Sequence, residues 1–384
     1  MKNKLRQLPT IKRLVVKVGS SLLTEGKKRG IQQPFLRSLA GQLRRLQLVG
    51  VDSIVVTSGA IAAGMHELGL KQRPKEIPRL QALAAVGQCN LMQAYESTFK
   101  NKNLKVAQIL LTREDLSNRE RYSNAHNTFL ELLRHRIIPI VNENDTVAVE
   151  EIKFSDNDTL SMLVSNWIAA DLLVILTDTD GFYDEDPSRN PKARLISEVR
   201  VWDPSFEKRA TGSRSNVGTG GMVTKIRAAK SMMSSGIPMV IANGRNFKII
   251  EKIYEGREVG TYFYPSSKRM NSHKRWLAWS MKTKGEICVD GGASKALLEL
   301  HKSLLPAGIK FIKGEWKKGD VVKIKNLQGL EIAKGLSSFD SAELEMIKGL
   351  RTKEIREKLG FSSPEEAVHR DNMVSIHTLE TNYP

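Results

Sequence analysis

Apolar and polar positions follow two rhythms along the first two thirds of the chain. Six short runs are almost continuously apolar and rich in Val, Ile and Leu: residues 14–18 (LVVKV), 53–57 (SIVVT), 106–111 (VAQILL), 137–141 (IIPIV), 172–176 (LLVIL) and 237–241 (IPMVI). Such runs suit strands covered on both faces. Between them apolar residues recur at helical spacing. Leu36, Leu39, Ala40, Leu43 and Leu46 share a stripe that ends at Gly50; Leu80, Leu83, Ala84, Gly87 and Leu91 form a second; Ile226, Ala229 and Met233 form a third that ends at Gly236. Strand and helix in alternation predict an α/β domain, a mostly parallel sheet with helices on both faces.

After about Thr283 the texture changes. A strand-like GEICVDGG (285–292) leads into a brief helical ASKALLEL (293–300), and then come short strands punctuated by glycine, with residues 321–325 alternating apolar and charged. This predicts a small β-rich, barrel-like module. The predicted division is a first domain over residues 1–265, a basic linker over 266–283 that lacks both periodicities, and a second domain with its tail over 284–384. A length of 384 residues accommodates two such domains.

Charge refines this picture. The net charge of +18 invites polyanionic partners such as nucleic acid, acidic membranes or phosphorylated small molecules. Its distribution argues against the first two: residues 1–282 carry +17 and residues 284–384 only +1. The densest stretches, residues 2–45 and 268–284, read as solvated faces. Two cysteines, Cys89 and Cys288, make no disulfide framework, and no Cys or His cluster has zinc-site spacing. The basic N-terminus runs into a strand pattern rather than a signal-peptide core, and no window of about 18 apolar residues suggests a membrane span. A cytoplasmic protein that does not enter the membrane is expected.

Ligands of open parallel sheets bind beyond the carboxyl ends of the strands. Four strand ends here are followed by small or polar residues: Lys17 to Ser21, Ser58 to Ala60, Asn142 to Asp145, and Thr177 with Asp178. One such end is an ordinary turn; four alike suggest a site open to anions. The strongest single signal is GTGGMVTK (218–225), a glycine segment that runs into the third helix and sets Lys225 and free amides at its positive end. It is neither a P-loop nor a GxGxxG turn. In FSDNDTLS (154–161), three consecutive Asx residues exceed what a helix cap needs. Lys17, within an apolar strand, requires an anionic partner, for which a bound phosphate is one candidate. The seven histidines fit no hydrolytic or zinc motif.

LVVKVGSS, VVTSGAIAAG, LLTREDL, RERYSNA, IPIVNENDTVA, SDNDTLS, LTDTDGFYDEDP and GTGGMVTKIRAA together resemble the glutamate 5-kinase family of the amino-acid kinase superfamily, and GEICVDGGASKAL, SLLPAGI and VHRDNM resemble its C-terminal PUA domain. The resemblance spans nearly the whole chain. It implies the amino-acid kinase fold and transfer of the γ-phosphoryl group of ATP to the side-chain carboxylate of L-glutamate, the opening step of proline synthesis. It further implies that Ser58, Asp145 and Asn157 bind glutamate. ATP would be bound by Lys17, Thr177, Asp178, Thr219, Gly220, Gly221, Met222, Val223, Thr224 and Lys225. Lys17 and Lys225 would be catalytic, organised by Asp158, with Mg2+ bridging phosphate oxygens and no protein metal ligand assigned. Asp145 is expected to pair with the substrate ammonium, and Asn157 and the Ser58 turn to address its carboxylates. Ser155 stands where the family pattern has glycine. Feedback inhibition by proline and a homo-oligomer, dimer or tetramer, are also implied. PUA domains elsewhere bind RNA, but a module carrying +1 is a poor phosphate-tracking surface, so RNA binding is not expected. The rival kinase readings are superfamily members acting on acetylglutamate, aspartate, UMP or carbamate.

Overall fold

The computed structural model describes residues 5–24, 30–112, 114–115, 119–147, 157–210, 221–246, 248–266, 277, 283–351, 354–355, 358 and 364–375. The chain divides into two compact units, residues 1–269 and 270–384.

In the first unit the described elements alternate as the apolar pattern predicts. They are β1 (Arg13–Val18), α1 (Ser20–Leu23), α2 (Gln33–Leu48), β2 (Asp52–Val56), α3 (Ala60–Glu67), α4 (Ile77–Lys100), β3 (Lys105–Leu111), α5 (Arg119–Arg134), β4 (Ile137–Glu143), α6 (Asn157–Trp167) and β5 (Leu172–Thr177). There follow β6 (Glu198–Val199), α7 (Ser205–Ala210), α8 (Met222–Ser234), β7 (Met239–Asn243), α9 (Ile249–Tyr254) and β8 (Thr261–Phe263). Eight strands form one sheet in the order β3-β4-β2-β1-β5-β7-β8-β6. All neighbours pair in parallel except β7 with β8. The mostly parallel sheet is therefore borne out. The short strands β6, at the sheet edge, and β8, next to it, were not legible as apolar runs, being two and three residues long.

Strand geometry decides where Lys17 points. Side chains alternate across a sheet, and Leu14, Val16 and Val18 face one core together with Leu36, Leu39 and Leu43 of α2 and Tyr95 of α4. Lys17 therefore faces the opposite side, where α6 packs on β1 and against α8. The end of β1 continues into Gly19, whose amide donates to Leu176 O of the neighbouring β5 at 3.2 Å. A Cβ at Gly19 would lie 3.3 Å from that same oxygen.

One basic residue departs from the expectation of a solvated N-terminal face. Arg6 is buried, and its guanidinium donates to the carbonyls of Val259 at 2.6 Å, Ser197 at 2.9 Å and Gly260 at 3.0 Å. It thereby satisfies backbone acceptors at the β6–β8 edge, and burial lowers its pKa.

The second unit holds β9 (Gly285–Val289), α10 (Gly291–Leu298), β10 (Ile309–Gly314), β11 (Val321–Lys325), β12 (Glu331–Leu336), α11 (Ser341–Ile347) and β13 (Met373–Ser375). Its five strands pair in the order β10-β9-β11-β12-β13 around a core of its own that includes Val289, Trp316, Val322, Ile324 and Phe339. Pairing is antiparallel except between β9 and β11. Asp340 and Glu343 close a reciprocal capping box at the start of α11. Of the linker, the residues from Lys268 to Trp276, with Trp279, lie outside the described residues.

Candidate active site

At the carboxyl ends of the central strands, three charged side chains meet out of water. Asp158, in the first turn of α6, is 0% exposed; Lys17 at the end of β1 and Lys225 in the second turn of α8 are each 5% exposed. Lys17 Nζ lies 2.6 Å from Asp158 Oδ1, and Lys225 Nζ lies 3.1 Å from Oδ2. The Thr224 hydroxyl donates to Oδ2 at 2.7 Å and lies 2.8 Å from Gly221 O. The anionic partner that Lys17 requires is thus supplied by the protein, as Asp158, and not by phosphate alone. Asp158 is also no cap: it sits inside the helix and is buried.

Burial by itself would raise the pKa of Asp158. The charges of Lys17 and then Lys225, with hydrogen bonds from Lys17 and Thr224, override that and hold the carboxyl below the carboxylate range. Two ammoniums against one carboxylate leave a net positive charge fixed at low dielectric, which suits an anion that gains charge during reaction.

A second cluster joins the ends of β2 and β4 to α6. Asn157 Nδ2 shares its two protons among three acceptors, Thr57 O at 2.7 Å, Ser58 Oγ at 2.8 Å and Asn142 Oδ1 at 3.1 Å. Asn142 Nδ2 in turn donates to Gln88 Oε1 of α4 at 2.8 Å. Gly59 follows Ser58 with φ 96°, a left-handed turn that suits glycine and starts α3. The N–H groups of Asn157, expected to meet substrate carboxylates, are thus occupied within the protein. Asp145 lies in the turn after β4. Burial pushes its carboxyl up to about 6, with Arg73 pulling the other way.

Thr177 ends β5 and its hydroxyl donates to Asp178 Oδ1 at 3.1 Å. Gly244 at the end of β7 donates its amide to Thr177 O at 2.8 Å. Gly221 is the N-cap of α8, and Met222, Val223 and Thr224 form its first turn. Thr219, Gly220, Asp156 and Ser155 lie outside the described residues. Lys17, Asp158, Thr224 and Lys225 are therefore brought together, as are Ser58 and Asn157. Among the described residues no hydrogen bond links Asp145 to either set. Gln88 and Tyr95 have no place among the expected site residues, and Asn142 only as the first residue of the strand end 142–145. The signal for Gln88 is a polar residue within the apolar stripe of the second helix, and for Asn142 a polar residue closing an apolar strand.

Residues 12–243 match the amino acid kinase family and residues 285–359 match the PUA domain. The chain is 48% identical over 369 residues to the glutamate 5-kinase of Geobacter sulfurreducens, covering 96% of this chain and 99% of that protein. It is 45% identical over 368 residues to the glutamate 5-kinase of Methylococcus capsulatus, covering 96% of this chain and 98% of that one. Among solved structures, the UMP kinase from Bacillus anthracis aligns with a TM-score of 0.46 and 15% identity, over 67% of this chain and 97% of that chain.

Proposed function

Since this chain belongs to the glutamate 5-kinase family of amino acid kinases, we propose that its buried Lys17–Asp158–Lys225 cluster is the phosphoryl-transfer centre and that Ser58, Asp145 and Asn157 hold glutamate. The reaction is ATP-dependent phosphorylation of the side-chain carboxylate of L-glutamate, in proline biosynthesis. A glutamate carboxylate, with an ordinary pKa of about 4.3, is ionised at neutral pH, so the nucleophile needs no general base. The obstacle is repulsion between two anions, which fixed positive charge and in-line placement overcome. Lys17 and Lys225 supply that charge. Asp158 keeps the two ammoniums from repelling one another and sets their positions; gripped by both, it is no proton acceptor.

Thr177, Asp178 and residues 219–225 hold ATP in this reading, with the amides at the start of α8 toward its phosphates. Among the described residues no group of three or more Cys, His, Asp or Glu could hold a metal. Mg2+ brought with ATP would neutralise phosphate charge there, and no protein ligand is assigned to it. Asp145, whose raised pKa falls when a cation arrives, pairs with the substrate ammonium.

Feedback by proline, assembly as a dimer or tetramer, a cytoplasmic location, domain limits at 1–265 and 284–384, and weak RNA binding by the PUA domain complete the proposal. No helix among the described residues is long and apolar enough to cross a membrane. The observation that carries the reading is one buried carboxylate shared by two buried lysines at the strand ends. Trapping the acyl phosphate with hydroxylamine across glutamate, aspartate and N-acetylglutamate, with ADP release followed for carbamate and UMP, tests it; hydroxamate and ADP release with glutamate alone are expected, and a different preferred acceptor overturns it.

A further inference from the structure

Helices α3 and α4 cross unusually closely. A Cβ on Gly87 would lie 1.8 Å from Ala60 O, and one on Gly64 would lie 2.0 Å from Leu83 O, so only glycine allows the two backbones to meet there. The next residue of α4, Gln88, is 9% exposed and reaches the end of β4 through Asn142. Two turns on, the Tyr95 hydroxyl lies 2.9 Å from Thr57 Oγ1 at the end of β2. One helix face thus supports both turns of the glutamate site from below.

The direction of every hydrogen bond in this network follows from one atom. Thr57 O is a carbonyl and only accepts, so the Asn157 atom 2.7 Å away must be the amide nitrogen. That nitrogen makes Asn142 Oδ1 an acceptor, which turns Asn142 Nδ2 toward α4 and requires an acceptor there. Gln88 Oε1 is that acceptor. At the other end Ser58 Oγ accepts from Asn157, so its own proton is left to donate, and among the described residues nothing accepts it. A hydroxyl so oriented suits a carboxylate.

We propose that Gln88 is a positioning residue for glutamate: through the relay Gln88–Asn142–Asn157–Ser58 it fixes the amides so that Ser58 donates to a substrate carboxylate. This rests on the reading of Ser58 and Asn157 as substrate-binding. A side chain at position 88 with no acceptor leaves the buried Asn142 amide free to turn over, and the order of the relay is lost.

Steady-state hydroxamate kinetics on the full chain test it. Gln88→Met should raise the glutamate KM about tenfold or more, the scale of a misplaced hydrogen bond to a charged group, and leave the ATP KM unchanged. Gln88→Glu keeps an acceptor opposite Asn142 and should bring KM back to within about threefold of the parent. In a Ser58→Ala background, Gln88→Met should add less than about threefold, because the two act through one path. If Gln88→Met does not fold, Gln88→Ser, too short to reach Asn142, carries the same comparison. Multiplying effects of the two substitutions, a parallel rise in the ATP KM, or a parental glutamate KM in Gln88→Met would overturn the relay. An unchanged glutamate KM in Ser58→Ala alone would instead overturn the site reading beneath it.

Discussion

Replacing Asp158 by Asn removes one charge and almost no volume, and its cost can be worked from the geometry. Lys17 and Lys225 lie 2.6 Å and 3.1 Å from opposite oxygens of one carboxylate. Their nitrogens are then at most about 8 Å apart, and at that distance like charges repel by roughly 2 kcal/mol at an effective dielectric of 20. The asparagine also removes the counter-charge that two nearly buried ammoniums share, a change that typically costs about 3–5 kcal/mol when a buried pair is broken. A loss in that range is a large share of the roughly 5–15 kcal/mol that holds a domain folded. Urea unfolding of Asp158→Asn at pH 7 should show it, and glutamate turnover should fall by a factor of about 10² or more as the lysines separate. The pH dependence gives an independent check. Because the folded pKa of Asp158 is depressed below its ordinary 3.8, its stabilisation is present above that pH and is lost on acidification through the folded value. The variant should therefore lose less stability than the parent below about pH 4. A variant within about 1 kcal/mol of the parent, with parental turnover, would refute the view that Asp158 organises the lysines.

Lys17→Met and Lys225→Met should each cut kcat by about 10² or more while folding is retained, since Asp158 keeps one partner in either case; parental kcat would remove that lysine from the chemistry. Asp145, with its carboxyl raised to about 6, must ionise to pair with the substrate ammonium, so the glutamate KM should climb as pH falls below that value. Asp145→Asn should raise KM at neutral pH and flatten this dependence, and a profile unchanged by the substitution would count against the pairing. Truncation after Lys282 should leave measurable glutamate phosphorylation, because the two units have separate cores and every proposed catalytic side chain lies between Lys17 and Lys225. A folded but inactive truncation would show that the PUA unit takes part in the reaction.

Six strands, three main helices and the change to a β-rich second unit could be read from the sequence, because strands buried on both faces must be apolar throughout and surface helices must carry a stripe; β3 departs from the first rule, an apolar run at the sheet edge in which only Leu111 is buried. The strand ends bearing Lys17, Ser58, Asp145 and Thr177 were legible for the same reason: a parallel sheet puts its ligands there. The short strands β6 and β8 at one end of the sheet escaped because two or three residues carry no period. Lys17 announced that it needed a negative partner, but only packing could choose one, by turning it to the face where α6 brings Asp158 to 2.6 Å from it and α8 brings Lys225 to 3.1 Å from the same carboxylate. Arg6 looked like part of a basic surface until its guanidinium was found under the β6–β8 edge. Gln88, Asn142 and Asn157 are spread over 70 residues of sequence, and neither their contact nor the direction of their hydrogen bonds has a local signature. That direction is set by a single backbone carbonyl, Thr57 O, and by the close crossing of Gly64 and Gly87. Periodicity records which side of an element faces away from water; which polar atoms meet across elements is decided only when the backbones are in place.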